Sequence, residues 1–556
     1  MTFRLEGVPV PSQSDLTPWP TTEVEQYRAL GYWTGETFGD MLSARAAATP
    51  DAIAVVDDRN RWTYAQLETR ATSLAAGFAN LGVQPGDRVL VQLPNIAEFV
   101  EVIFGLFYAG ALPVFCLPAH RQSELIPIAQ ASGAVAMVTC HHHQKFNHAT
   151  LSAILRDNSA ALRHLIIVPD QQGAALPGGT HALDDLRAEP RELPRVDAAD
   201  VAFLQLSGGS TGTPKLIPRT HDDYLYSVRR SVELCELDSS SVYLAALPVA
   251  HNFPMSSPGI LGALVAGGTV AMAIDPSPTT AFSAIERFGV TITGLVPPLA
   301  RLWVERAEAS TKYDISSLRV LLVGGARCPD ELARRIRPAL GATLQQVFGM
   351  AEGLVCYTRL DDPEEVVLAT QGRPMSPHDQ VAVVDEQGNH VPPGTDGLLI
   401  TKGPYTIRGY YRNPEANASS FTADGWYRTG DVVNLRPDGN LVVKGRLGDR
   451  VNRGGEKISA EEIEAHLLDH PLIRDAIVVS VPDERLGERS CVFVLAADPA
   501  TPPALGQIRQ FVRERGVATW KIPDLLQVVD SFPETSVGKI SRRSLRAALT
   551  AQAAAT

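Results

Sequence analysis

The sequence predicts an α/β protein: a large N-terminal body of stacked βαβ layers with a small β-rich region, then a small C-terminal α/β unit. Three observations predict it. Short, continuously apolar strands alternate with helical stretches up to about Gln380. From there the pattern changes to short alternating strands with Gly and Pro turns (VAVVDEQGNHVPPGTDGLLITK). Beyond Arg446–Arg450 (RLGDR) a separate helix–strand pattern of about 105 residues begins.

Taken in order, Ala52–Val56 reads as a strand and Thr63–Leu81 as a helix. Arg88–Gln92 is a strand, Glu98–Tyr108 a helix and Ala111–Phe115 a strand. The same beat recurs at Val135–Val138, His164–Val168, Thr269–Ala273, Thr291–Leu295 and Arg319–Val323. Val102–Leu117 and Asn252–Ile274 are apolar enough to suggest membrane spans. Their Gly and Pro residues predict buried loop, helix and strand instead. In the C-terminal unit, Ser459-Ala-Glu-Glu462 reads as a capping box opening a helix with Ile463, Leu467 and Leu468 on one face. Ala476–Val481 and Leu525–Val529 are strands and Gln507–Arg515 a helix, while the Ala-rich tail from Ala547 reads as a fraying helix end. The domain boundaries expected are 1–445 for the body, 446–449 for a hinge and 450–556 for the C-terminal unit.

Composition narrows the function. Fifty Lys and Arg against 62 Asp and Glu leave a net charge of -12, which argues against general nucleic-acid binding. Six scattered cysteines without a C-x-x-C pair exclude a disulfide scaffold and a zinc knuckle, and suggest a reduced, cytoplasmic setting. The N-terminus has no apolar run of a secretion signal.

The chemistry begins at Leu204–His221 (LQLSGGSTGTPKLIPRTH). A strand enters a loop of Ser207, Gly208, Gly209, Ser210, Thr211, Gly212 and Thr213 that ends at Lys215. Glycines let several backbone N–H groups face one anion, hydroxyls add donors and the lysine adds charge, as a triphosphate requires. Pro214 before Lys215, with no Ser or Thr after it, excludes a Walker A loop.

SGGSTGTPK resembles the phosphate-loop signature of the adenylate-forming superfamily: acyl-CoA synthetases, adenylation domains of peptide synthetases, and luciferases. Further motifs follow in the family's order. Gly324-Gly325-Ala326 resembles the backbone wall beside adenine. Phe348-Gly349-Met-Ala-Glu352-Gly, preceded by Val347, resembles the motif whose Glu holds Mg²⁺. Tyr427-Arg-Thr-Gly-Asp431 resembles the motif whose Asp accepts the ribose hydroxyls, and Gly445-Arg446 the one whose Arg contacts the ribose. Pro533-Glu-Thr-Ser-Val-Gly-Lys539 resembles the segment whose lysine meets the carboxylate and α-phosphate. The resemblance implies a mobile C-terminal lid, Mg-ATP as cosubstrate, and transfer of the acyl group to a thiol. Gly448 stands where the family hinge usually has Asp or Lys.

Ala250-His251-Asn252-Phe253-Pro-Met-Ser-Ser257-Pro-Gly259 resembles the aryl-acid branch, stand-alone ligases that activate 2,3-dihydroxybenzoate or salicylate in siderophore synthesis. In that branch His251 would gate the acid pocket, Asn252 would contact the ortho hydroxyl and carboxylate, and Ser257 would face the ring's 3-position. Ser257 with Val355, in place of Cys and Leu, leans toward 2,3-dihydroxybenzoate; the bland alternative is that Ser257 caps a local turn. The branch implies a phosphopantetheine thiol on a separate aryl carrier protein as acceptor, since the chain ends 17 residues after Lys539. Alternatives are salicylate or another hydroxylated (hetero)aryl acid, an aryl-CoA ligase, or a non-catalytic nucleotide-binding protein on this fold. Two departures bear on the acid: Phe253 where many members have Tyr, and Cys356, expected beside the pocket wall, where relatives usually have Asn.

Other features attract simpler readings. Arg450, Arg453 and Lys457 suit either a carrier-facing surface or a wet face. His141-His142-His143 with His148 read as a polar surface loop rather than a metal site, there being no neighbouring acid in sequence. Arg542, Arg543 and Arg546 read as a solvated helix face. Asn417-Ala-Ser419 fits a glycosylation sequon that a cytoplasmic chain would not use, and no G-x-S-x-G elbow of a hydrolase is present.

Overall fold

Residues that cap helices mark out the body. Thr63 opens the helix Tyr64–Leu81 through a reciprocal box with Gln66, and Gly82 closes it in the left-handed conformation. Thr220 and Asp223 form the same box at His221–Leu234. The computed structural model describes residues 15–170, 176–207, 214–453, 456–483, 486–515, 519–535 and 540–554.

Two large sheets carry the body. One runs, by neighbouring strands, Arg373–Pro374, Val355–Tyr357, Thr343–Gly349, Val320–Gly324, Ile292–Leu295, Val242–Ala245, Thr269–Met272, Ile53–Val56 and Arg61–Thr63. Its centre is parallel and its edges are antiparallel. The other runs Leu216–Thr220, Val201–Leu206, Leu112–Phe115, Arg88–Gln92, Ala136–Cys140, His164–Val168 and His181–Ala182. All but its first pair are parallel.

Strand alternation explains why these strands are apolar throughout. Successive side chains point to opposite faces, and both faces are covered. Tyr243 and Ala245 enter the central core, while Leu244 between them enters an outer one. Val89 and Val91 face the same central core and Leu90 a second outer one. The central core packs Tyr64–Leu81, Ala97–Ala109, His221–Leu234 and Gly259–Ala266 between the two sheets. Pro278–Phe288, Pro297–Ala309 and Asp330–Leu340 cover the outside of the first sheet. Gln122–Ser132 and His148–Asp157 cover that of the second. The expected stacked βαβ layers are thus helix–sheet–helix–sheet–helix.

The β-rich region is an antiparallel sheet of Gln380–Val384, Asp396–Lys402, Tyr427–Leu435 and Leu441–Arg446. The C-terminal sheet of Glu456–Ile458, Val451–Arg453, Gly487–Ala496, Ile473–Asp483 and Leu525–Val528 encloses its own core of Ile463, Leu467, Val478, Val492 and Ile508. Among the described residues no helix is long and apolar enough to cross a membrane. Asn252–Ile274 forms the helices Asn252–Ser256 and Gly259–Ala266 and the strand Thr269–Met272 instead.

Three local readings are corrected. Ser459 does cap Ala460–Leu468, but the box is half made: the Glu462 carboxylate leaves it for the Lys521 ammonium, 2.6 Å away. A charged partner outcompetes a backbone amide for that carboxylate. Arg542 and Arg546 are not a solvated face. Arg542 binds Glu464 and the Val478 carbonyl, and Arg546 binds Asp449 at 2.9 Å. His148 is buried, its Nδ1 3.3 Å from the Gln92 amide oxygen, and Asp170 lies beside His141 and His142 although distant in sequence.

Candidate active site

The candidate residues gather where parallel strands of the first sheet end. Side chains and loops at the carboxyl ends of such strands are free to form a crevice. Val242–Ala245 leads to His251, Val320–Gly324 to Gly325 and Ala326, and Thr343–Gly349 to Glu352. Asn95 fixes the first of these loops. Its amide nitrogen donates to the carbonyls of Ala245 (2.8 Å) and Leu247 (2.9 Å), and its oxygen accepts from Val249 N (3.0 Å). His251 then caps the short helix Asn252–Ser256 by accepting from Phe253 N through Nδ1 at 3.3 Å.

Around that helix lies a buried polar and aromatic patch. The Tyr224 hydroxyl donates to Asn252 Oδ1 at 2.7 Å. Burial pushes the Tyr224 hydroxyl up to about 12, so it remains a donor. Phe253 lies across the sheet: a methyl group at Gly294 or Gly324 would meet its ring tip at 3.1 or 3.2 Å. At Gly324 the Val347 carbonyl would also lie only 2.9 Å away. Gly259 is required by its positive φ and because a methyl there would meet the Pro254 carbonyl at 2.4 Å. Ser257 is buried, and its side chain lies against the Tyr357 hydroxyl, which donates to Ser231 Oγ at 2.9 Å. Val355 packs over Gly349, its strand partner, and donates its N–H to the Tyr405 hydroxyl at 3.3 Å. Tyr405 in turn donates to Asp379, whose carboxyl is raised to about 7 by burial.

A charged cluster adjoins this patch. Lys215 Nζ sits 4.5 Å over the Tyr410 ring. The Tyr410 hydroxyl donates to Glu352 Oε1 at 3.0 Å and lies 3.2 Å from the Tyr427 hydroxyl. Asp431 and Arg446 are directly opposed on neighbouring strands, and Arg446 Nε donates to Asp431 Oδ1 at 3.0 Å. Buried Arg219 braces the Glu352 loop by donating to the carbonyls of Ala351 (2.8 Å) and Tyr405 (3.1 Å) while paired with Asp223. Glu352 is buried with Tyr410 on one carboxylate oxygen; its second oxygen suits a hard cation such as Mg²⁺.

The candidate phosphate loop joins the antiparallel strands Val201–Leu206 and Leu216–Thr220. Ser207 N donates to the Lys215 carbonyl and Lys215 N to Ser207 Oγ, both at 3.0 Å, closing its base. Gly208, Gly209, Ser210, Thr211, Gly212, Thr213 and Lys539 lie outside the described residues.

The expectation for Cys356 is corrected. Alternation along Val355–Tyr357 puts Val355 and Tyr357 in the central core and Cys356 on the opposite face, among Leu354, Val383 and Leu399. It does not line the patch around Asn252. Arg453 is held by Asp524 through two 2.9 Å hydrogen bonds, so it is not a free member of a basic cluster. Gly448 lies in the 3-10 turn Leu447–Asp449, and its carbonyl accepts from Arg546 at 3.2 Å. Sequence reasoning missed Tyr224, Tyr405, Tyr410 and Arg219. Tyr224 lies three residues after His221, within reach of the loop motif, but only the fold brings it to Asn252.

Comparison with known proteins shows the family of the chain. A family profile described as AMP-binding enzyme matches residues 42–411, and one described as AMP-binding enzyme C-terminal domain matches residues 462–539. The chain belongs to the AMP-binding enzymes, an adenylate-forming, ATP-using family. Within it, the chain is 56% identical over 533 residues to the 2,3-dihydroxybenzoate-AMP ligase of Bacillus subtilis (strain 168), covering 96% of this chain and 97% of that one. It is 48% identical over 540 residues to the vibriobactin-specific 2,3-dihydroxybenzoate-AMP ligase of Vibrio cholerae serotype O1, at 96% and 97% coverage. Among solved structures, Mycobacterium smegmatis MbtA in its apo form matches with a TM-score of 0.74 and 46% identity, over 96% of this chain and 99% of that one.

Proposed function

We propose that the enzyme activates 2,3-dihydroxybenzoate with Mg-ATP and passes the aryl group to the phosphopantetheine thiol of a separate aryl carrier protein, in cytoplasmic siderophore assembly. The observation that carries this reading is the end-to-end 56% identity to a 2,3-dihydroxybenzoate-AMP ligase. It is supported by the residue types at Asn252, Ser257 and Val355, which match those with which the branch recognises 2,3-dihydroxybenzoate.

In the first half-reaction a carboxylate oxygen attacks the α-phosphorus of ATP and the bond to pyrophosphate breaks. Asn252, its oxygen already engaged by Tyr224, offers its amide N–H to the ring hydroxyl and carboxylate. His251 gates the pocket and Phe253 forms its apolar floor. The loop Ser207–Thr213 offers backbone N–H donors, and Lys215 adds charge. Lys539 meets the α-phosphate oxygens as negative charge grows there, a term that lowers the barrier because it strengthens in the transition state. Asp431 accepts the ribose hydroxyls beside Arg446, and Gly324, Gly325, Ala326, Val347 and Gly349 form the adenine wall. Glu352 would hold magnesium, which when bound offsets charge on the phosphates. In the second half-reaction the carrier thiol attacks the acyl carbon and AMP leaves with the bonding pair. Swivelling about residues 446–449 at Gly448 withdraws Lys539 for that step; the Arg546 contacts to Gly448 and Asp449 imply that the last helix moves with this turn.

Acceptor assays test the class. Thioester should form on a holo aryl carrier protein and be lost in Lys539→Ala; faster transfer to coenzyme A would assign an aryl-CoA ligase instead.

A further inference from the structure

His141, His142 and Asp170 meet at the carboxyl edge of the second sheet, away from the site above. The strands Ala136–Cys140 and His164–Val168 are adjacent and parallel, with Cys140 opposite Val168. Residues just past their ends are therefore brought together across a long sequence interval. Nδ1 of His142 lies 2.7 Å from Asp170 Oδ2, and Nδ1 of His141 lies 3.6 Å from the same oxygen. One ligand atom from each residue falls within 4.8 Å of the others. Ligands about 2.0–2.1 Å from a tetrahedral ion sit roughly 3.4 Å from one another; the His141–Asp170 separation is close to that, while the 2.7 Å His142–Asp170 contact is a hydrogen bond that an incoming ion would replace.

The arrangement is held in place before any ion binds. His141 N donates to the Val168 carbonyl at 2.9 Å. His142 N donates to Asp170 Oδ1 at 3.1 Å, which orients the carboxylate and leaves Oδ2 toward the imidazoles. The two rings lie 4.1 Å apart. His141 Nδ1 is buried and has no hydrogen-bond partner among the described residues. A buried imidazole nitrogen without a hydrogen bond, 3.6 Å from a fixed carboxylate and beside a second imidazole, is placed to take a cation.

We infer that these three side chains bind one borderline divalent transition-metal ion of the zinc, nickel or copper class. Two imidazoles and one carboxylate select such an ion over Mg²⁺ or Ca²⁺, which prefer all-oxygen sets. His142 and Asp170 are exposed, so water is at hand to complete the coordination. Two strands separate Ala136–Cys140 from Val201–Leu206, which carries the phosphate loop, an offset of about 14 Å. The site is therefore distinct from the candidate phosphate loop.

The test uses untagged full-length protein stripped with chelator and titrated with zinc against a chromophoric competitor. Wild type should bind one more equivalent of zinc than the double variant His141→Ala/His142→Ala. Asp170→Asn, which keeps the backbone contact, should weaken that equivalent by about tenfold or more. ATP–pyrophosphate exchange should be unchanged in both variants, which also reports that they fold. Equal zinc stoichiometry and affinity in wild type and both variants would overturn the inference.

Discussion

Tyr224→Phe removes a single oxygen atom from beside Asn252, in the proposed acid pocket. The ring would stay, packed edge-on to Phe203 at 4.7 Å and under Arg219 at 4.6 Å. What is lost is a 2.7 Å hydrogen bond between two buried groups, Tyr224 at 1% and Asn252 at 9% exposure. An unsatisfied buried acceptor costs about 1–3 kcal/mol, and the Asn252 amide is freed to turn over. If Asn252 reads the ortho hydroxyl and carboxylate, that cost falls on the transition state, so kcat/KM for the aryl acid should drop between about 5-fold and 150-fold. The KM for ATP should stay within about twofold of wild type, because no atom of the Glu352–Tyr410–Asp431 cluster is touched. Initial-rate pyrophosphate exchange with each substrate varied in turn measures both. An unchanged kcat/KM for the acid, with the variant folded, would refute the role given to Asn252.

Other perturbations read other parts of the site. Ser257→Cys should lower the ratio of kcat/KM for 2,3-dihydroxybenzoate over salicylate by about tenfold or more, measured by competition, because a thiol pairs poorly with a 3-hydroxyl. Glu352→Gln keeps an acceptor for Tyr410 but loses the charge; exchange should fall about 100-fold or more, and its magnesium requirement should rise in a metal titration. Asp379 supplies a pH dependence. Its folded value is raised to about 7 from 3.8, so the folded chain holds a proton that the unfolded chain has released. Its contribution should make stability fall as pH rises from about 4 to about 7 and then level off; thermal melts of Asp379→Asn should lack that component.

The sheet body was legible because continuous apolar strands between helices need cover on both faces, and Leu244 and Leu90 show that each alternate residue finds its own core. Motif residues Asp431 and Arg446 were legible through their order in the chain, and register then pairs them directly. What escaped was set by contacts between distant segments. Tyr410 beneath Lys215, Tyr224 on Asn252 and Asp170 beside His142 carry no local pattern, since the fold brings each pair together from distant segments. Cys356 was misjudged because proximity in sequence to Val355 says nothing of face; a strand sends neighbours to opposite sides. The arginines of the last helix were misjudged because Glu464 and Asp449, their partners, lie far upstream.

The measurement that meets the central claim most directly is ATP–pyrophosphate exchange across a panel of acids: 2,3-dihydroxybenzoate, salicylate, benzoate, 3-hydroxypicolinate, 3-hydroxyanthranilate, and representative amino and fatty acids. The account predicts the highest kcat/KM with 2,3-dihydroxybenzoate, salicylate next, and none with amino or fatty acids. Exchange with a fatty or amino acid, or with no aryl acid at all, would contradict it.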